Sequence, residues 1–191
     1  MIIYPHFVVV GFSNSYIIAD EINKSAVVID PGIFDVALLK LIEENHYYIK
    51  KVLVTHAHES HINGIKTLLR IYDATVYAFR DKIYDIPVTY VKDNDLIECD
   101  DLTFSVIETP GHSRDSVVYL IDNYLFTGDT LTAGLIGTTP HDHAKKLLVG
   151  TINKKLFALQ DNVVVFPGHG PPSLMGIERM TNPLMQDDCY I

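Results

Sequence analysis

The sequence predicts an α/β fold in which two mixed β-sheets pack face to face with helices outside. Three observations predict it. Short runs rich in Val and Ile recur through both halves of the chain, and each half interrupts them with helix-like segments. No Pro/Ser-rich linker parts the halves, so residues 1–191 are expected to form a single domain.

The elements follow in order. His6–Phe12, Ser15–Ala19 and Ala26–Ile29 read as strands broken by turn residues, and Asp30-Pro31-Gly32 closes the run. Asp35–Glu44 carries Val36, Leu39 and Ile42 on one helical face, with Asp35 as N-cap. Lys51–Val54 is a short strand leading into Thr55-His56. A helix is expected from Ile62 to Ile71 and a strand at Thr75–Phe79. Leu102–Glu108 alternates as a strand does, and Val117–Ile121 with Tyr124–Thr127 forms a hairpin turning at Asp122-Asn123. Ala144, Leu147, Leu148, Ile152, Leu156 and Leu159 trace one helical face, for which Asp142 is the expected N-cap. Val163–Phe166 is the last strand.

Composition narrows the function. Hydrophobic residues make up 48% and charged residues 20%, a globular balance. A net charge of −9 argues against general nucleic-acid binding while leaving room for a local cationic pocket. No apolar run approaches the ~20 residues that span a bilayer, and the N-terminus lacks the pattern of a signal peptide. A cytoplasmic protein with no membrane partner is the expectation. Cys99 and Cys189 lie far apart and are expected to be free thiols, the second in an acidic C-terminal tail.

The chemistry concentrates in six residues. His56, His58 and His61 stand in Thr-His-Ala-His-Glu-Ser-His, His112 in Thr-Pro-Gly-His, Asp129 in Thr-Gly-Asp-Thr and His169 in Pro-Gly-His-Gly. Each group follows a strand-like run, in the kind of loop that displays functional side chains on a rigid scaffold. His56 and His58 share a side of an extended segment, and His58 and His61 can meet over a helical first turn. Imidazole and carboxylate are ligands for zinc and similar cations. Three imidazoles within six residues make a poor core without a metal. His6, His46, His141 and His143 read as ordinary polar residues.

These residues resemble the metallo-β-lactamase fold superfamily, most closely its glyoxalase II-like hydrolases. The likeness extends to Asn14-Ser15-Tyr16, Ile29-Asp30-Pro31-Gly32, Gly128-Asp129-Thr130-Leu131, Gly168-His169-Gly170-Pro171 and Glu178-Arg179-Met180-Thr181-Asn182-Pro183. It implies a four-layer αββα sandwich with metals along one sheet edge. By the same resemblance His56, His58 and His112 form a first metal site. His61 and His169 form a second, with Asp129 bridging both and acting in catalysis.

Ser60 departs from the family pattern, which has an aspartate there. A neutral hydroxyl leaves two cations facing five imidazoles and one carboxylate, so their mutual repulsion is less compensated. One tight zinc and a weakened second site are expected, with iron or manganese as alternatives. The resemblance implies a hydrolase for a small-molecule thioester or related ester. A bound cation lowers the pKa of its water to ~7 and polarises the carbonyl. Two further departures bear on substrate: Thr138 stands where relatives carry Arg, and the chain stops short of the family's C-terminal helical region. The alternatives are a mononuclear-iron persulfide dioxygenase of the same fold and a non-catalytic metal-binding protein with a degenerate second site.

Overall fold

The computed structural model describes residues 1–9 and 11–183. The first sheet contains β1 (Ile2–Val8), β2 (Ser13–Asp20), β3 (Ser25–Ile29), β4 (Tyr48–Leu53) and β5 (Thr75–Ala78) side by side. A small hairpin of β6 (Lys82–Ile83) and β7 (Ile86–Pro87) precedes β8 (Thr89–Tyr90), which pairs with β5 at the sheet edge. The second sheet runs β14-β13-β12-β11-β10-β9. These are β9 (Leu96–Cys99), β10 (Leu102–Glu108), β11 (Val117–Ile121), β12 (Tyr124–Gly128), β13 (Val164–Pro167) and β14 (Ser173–Leu174). Both sheets are mixed: β3, β4, β5 and β8 pair in parallel, as do β12 and β13, and the other pairs are antiparallel.

Side-chain alternation along the strands separates three apolar layers. Ile17, Ala19, Val28 and Val52 pack outward against α1 (Val36–Glu44), α2 (Glu59–Ile62) and α3 (Ile65–Leu68). Their neighbours Tyr16, Ile18, Val27 and Leu53 face inward, meeting Phe104, Val106, Tyr119 and Phe126 of the second sheet. Leu125 and Val165 face α4 (Asp142–Thr151), which continues as a π-helical turn at Ile152–Leu156, and α5 (Met175–Thr181). The result is the αββα sandwich. In its middle layer Tyr16, Phe126 and Phe166 lie with ring centroids 5.2–5.3 Å apart; each such pair adds about 0.5–1.5 kcal/mol beyond its buried area. No helix among the described residues is long and apolar enough to cross a membrane.

Several elements differ from their sequence-based outlines. The helix expected from 62 to 71 is two short helices parted at Gly64, whose N–H bonds to the Pro31 carbonyl at 2.8 Å. A Cβ at Gly64 would stand 2.5 Å from that oxygen, so the glycine lets the chain dock there and breaks the helix. At α4 the cap is His141, whose Nδ1 accepts from the Ala144 N–H at 3.1 Å; Asp142 sits in the first turn instead. Leu147 lies on the half-exposed side of α4 rather than on its inner face. The first strand starts at Ile2 and ends at Val8, and β9 had no clear alternation to announce it. The hairpin at Asp122-Asn123 forms as expected, with Asp122 at φ 49°. Cys99 is buried and free; Cys189 and the tail lie outside the described residues.

Candidate metal centre

Four strand ends deliver the six residues to one edge of the sandwich. β4 leads into the 56–61 segment, β10 into the turn before His112, β12 into Asp129 and β13 into His169. Gly128 is at φ 49°, in the left-handed region, and a Cβ there would meet Thr55 Oγ1 at 2.3 Å. Only glycine lets β12 end so close to β4. The Val117 N–H donates to the Thr55 carbonyl at 2.9 Å, which ties the two sheets together beside the site.

The ligand atoms of His56, His58, His112 and Asp129 all lie within 4.8 Å of one another, as do those of His61, Asp129 and His169. Asp129 faces both groups. Its Oδ2 is 3.7 Å from His56 Nε2 and 3.5 Å from His112 Nε2. Its Oδ1 is 2.7 Å from His169 Nδ1 and 3.7 Å from His61 Nε2. Two ligands each ~2.05 Å from a tetrahedral zinc would stand about 3.3 Å apart, so the first group has the spacing a cation needs.

Hydrogen bonds on the far side of three of the rings set which nitrogen faces inward. His112 Nδ1 donates to the Thr138 carbonyl at 2.7 Å, leaving the Nε2 lone pair 3.0 Å from His58 Nδ1. His61 Nδ1 donates to Asp30 Oδ2 at 3.1 Å. Thr55 Oγ1 donates to the same oxygen at 2.6 Å and stands 3.1 Å from His56 Nδ1, which donates to it. The buried Nε2 atoms of His56 and His61 have no hydrogen-bond partner. Such outer partners fix tautomer and ring direction for metal-binding imidazoles. Imidazole nitrogens gathered around one carboxylate, two of them buried without a hydrogen-bond partner, suit a divalent metal.

Asp30 is the functional residue that sequence reasoning did not single out. It figured there as a turn residue and as part of the Ile29-Asp30-Pro31-Gly32 likeness, with no role at the site, yet it is buried, sits at φ 50°, and orients His61 directly and His56 through Thr55. Its signal was a carboxylate at a strand end inside an apolar run, which by itself reads as a turn.

The electrostatics follow from crowding. Burial is the main reason His56 is held well below the ordinary imidazole range, helped by the neighbouring imidazoles; burial lowers His58 too. Burial also opposes charge on Asp129, but the hydrogen bond from His169 and the imidazole of His61 3.7 Å away hold its carboxyl far below the usual carboxylate range. For His61 burial works against protonation, yet Asp129 and Asp30 push its pKa up to about 9.

The second group is less well formed than the first. His169 Nε2 donates to the Gly11 carbonyl at 3.1 Å, and its Nδ1 lies at hydrogen-bonding distance from Asp129 Oδ1. The bond to Asp129 raises the pKa of His169. Ser60 is half-buried, and its Cβ would lie 2.8 Å from a Cβ at Gly11.

The chain belongs to the metallo-beta-lactamase superfamily, whose pattern matches residues 8–169. Hydroxyacylglutathione hydrolase of Francisella philomiragia is 37% identical over 164 residues, covering 81% of this chain and 61% of that protein. Among solved structures, ETHE1 from Myxococcus xanthus superposes with a TM-score of 0.88 at 31% identity, over 96% of this chain and 84% of that one. TTHA1623, solved in a di-iron-bound form, gives a TM-score of 0.81 at 25% identity, over 94% and 98% of the two chains.

Proposed function

We propose that this chain, as a single domain, is a metal-dependent hydrolase acting on a thioester or related small-molecule ester. In this reading His56, His58, His112 and Asp129 hold a tight cation, zinc first among the candidates. His61 and His169 join Asp129 in a weaker second position. The observation that carries the reading is the convergence of inward-facing imidazole nitrogens on a carboxylate with one oxygen toward each group. The likeness to a hydroxyacylglutathione hydrolase supports the thioester class. The buried free thiol of Cys99 supports a reducing, cytoplasmic setting.

A bound cation supplies a Lewis acid for the carbonyl and acidifies a water molecule. The chain's own residues do the rest. Asp129, kept ionised by its neighbours, accepts a hydrogen bond from the attacking water and fixes its direction. Leu135, Ile136 and Thr138 border a cavity of about 250 Å³ with His112 and Asp129, giving the acyl group an apolar bed. A thiolate leaves without a strong general acid, so a thioester suits a site with a single carboxylate.

Elemental analysis of the purified protein paired with a thioester and phosphodiester screen tests this. Bound metal with thioester turnover is expected. Metal-loaded protein inert toward every ester and thioester would overturn it. The better-formed first group also favours a one-metal reading, an iron-dependent persulfide dioxygenase. Oxygen uptake with glutathione persulfide by anaerobically iron-loaded protein distinguishes that chemistry.

A further inference from the structure

A second cavity opens on the other side of His112. It measures about 270 Å³ and lies between the Pro110–Arg114 turn and the start of α4. That is room for roughly ten non-hydrogen atoms, on a scale of about 30 Å³ per liquid water. Its walls are mainly carbon: Pro110, Pro140, Ala144 and the half-exposed Leu147. Gly111 forms part of its base at φ 141°, and a Cβ there would run into Leu148 Cβ at 2.5 Å.

Nitrogen donors border this apolar space. Arg114 lines it and makes no ion pair among the described residues, while its neighbour Asp115 is taken by Arg80 Nη1 at 3.2 Å. His141 also lines it. Because His141 Nδ1 accepts the Ala144 N–H, the proton of its neutral ring is on Nε2, which is free to donate. His143 lines it as well, its ring 6.3 Å from that of His141. No Asp or Glu among the described residues lines the cavity. In a chain of net charge −9, a carbon-walled cavity bordered by an unpaired guanidinium and two imidazoles selects for one kind of guest.

We propose that this cavity is a subsite for an apolar group ending in a carboxylate, the arm of the substrate remote from the reacting carbonyl. His112 lines both this cavity and the one beside Asp129, so a single molecule can occupy the two. Naming the guest a substrate arm rests on the hydrolase reading; the binding itself does not.

The test uses zinc-loaded protein with 4-phenylbutyrate and its neutral analogue 4-phenylbutanol, followed by amide chemical shifts. The acid should perturb Gly111, Ala144 and Leu147 and bind more tightly than the alcohol. Arg114→Gln should weaken the acid about fivefold, the scale of an exposed ion pair, and leave the alcohol unchanged. Leu147→Trp, at a half-exposed position that tolerates substitution, should fill the space and weaken both by at least about tenfold. Equal binding of acid and alcohol, insensitivity to both substitutions, or shifts confined to Asp129 and Gly137 would overturn the subsite. A companion assay compares thioesters of one acyl group on 3-mercaptopropionate and on propanethiol. Preference for the first, lost in Arg114→Gln, supports the subsite as part of the active site. Binding of phenylbutyrate without turnover of either thioester would keep the subsite and defeat the hydrolase reading. Turnover without preference or binding would do the reverse.

Discussion

Glu178 grips Gly134: its two carboxylate oxygens stand 2.9 and 3.1 Å from the Gly134 nitrogen and accept its N–H. The same buried carboxylate accepts from Ser173 Oγ at 2.6 Å and Asn182 Nδ2 at 3.1 Å, so α5 is fastened to the loop after Asp129. That loop leads to Thr138, whose carbonyl orients His112. Glu178→Ala should cost about 1–3 kcal/mol for the donors left without an acceptor. It should also lower kcat/KM more than it lowers urea stability would predict. Denaturation and kinetics on the same preparation check this; unchanged kinetics would mean the clamp serves stability alone.

Asp30→Asn keeps the shape but places an N–H₂ toward Thr55 Oγ1 or His61 Nδ1. Both rings lose the partner that fixes them, and metal affinity should fall about 10–100-fold, as for other outer-shell changes. Competition with a chromophoric chelator measures it. A change under twofold would remove Asp30 from the metal centre.

Ser60→Asp restores a carboxylate beside the second group. Metal content after dialysis should rise from near one equivalent toward two. If the natural protein already retains two equivalents, the weakened-site idea fails.

Gly168→Ala tests how tightly the centre is enclosed. A Cβ at Gly168 would lie 2.6 Å from both Asp129 Oδ1 and His61 Cε1. The carboxylate must shift, so the substitution should abolish tight metal binding while leaving far-ultraviolet dichroism near that of the parent. Retained metal at full stoichiometry would contradict the packing described here.

Proton release follows from His61. Its pKa near about 9 means the ring holds a second proton at neutral pH, and coordination through Nε2 requires that proton to leave. Apparent affinity at the second group should therefore decline as pH falls below about 9, by up to about tenfold per pH unit. Calorimetry in buffers of different ionisation enthalpy reads the released proton directly. Flat affinity between about pH 6 and 8 would rule it out.

Much of this architecture was legible because the middle-layer strands alternate cleanly and end in Gly or Pro turns. The offsets of two and three residues among 56, 58 and 61, with His112, Asp129 and His169 each in its own loop, pointed to one shared cavity, and the family resemblance implied its place on a sheet edge. What could not be read depends on contacts between distant segments. Gly64 breaks a helix because of Pro31, which no local propensity reveals. Asp30 orients His61 from thirty-one positions away. His141 rather than Asp142 caps α4, since an imidazole nitrogen can accept a backbone N–H as a carboxylate does. The orientation of His169 toward Gly11 likewise depends on a hairpin tip from the opposite end of the chain.

The six convergent residues are divided between the layers: His56, His58 and His61 come from the end of the first sheet, and His112, Asp129 and His169 from the second. A cation gripped by both would act as a rivet through the sandwich. Chelation should then let the halves breathe apart, with amide exchange quickening in β4 and β12 together. Fragments cut in the segment between β8 and β9 should reassociate more readily when the ion is supplied.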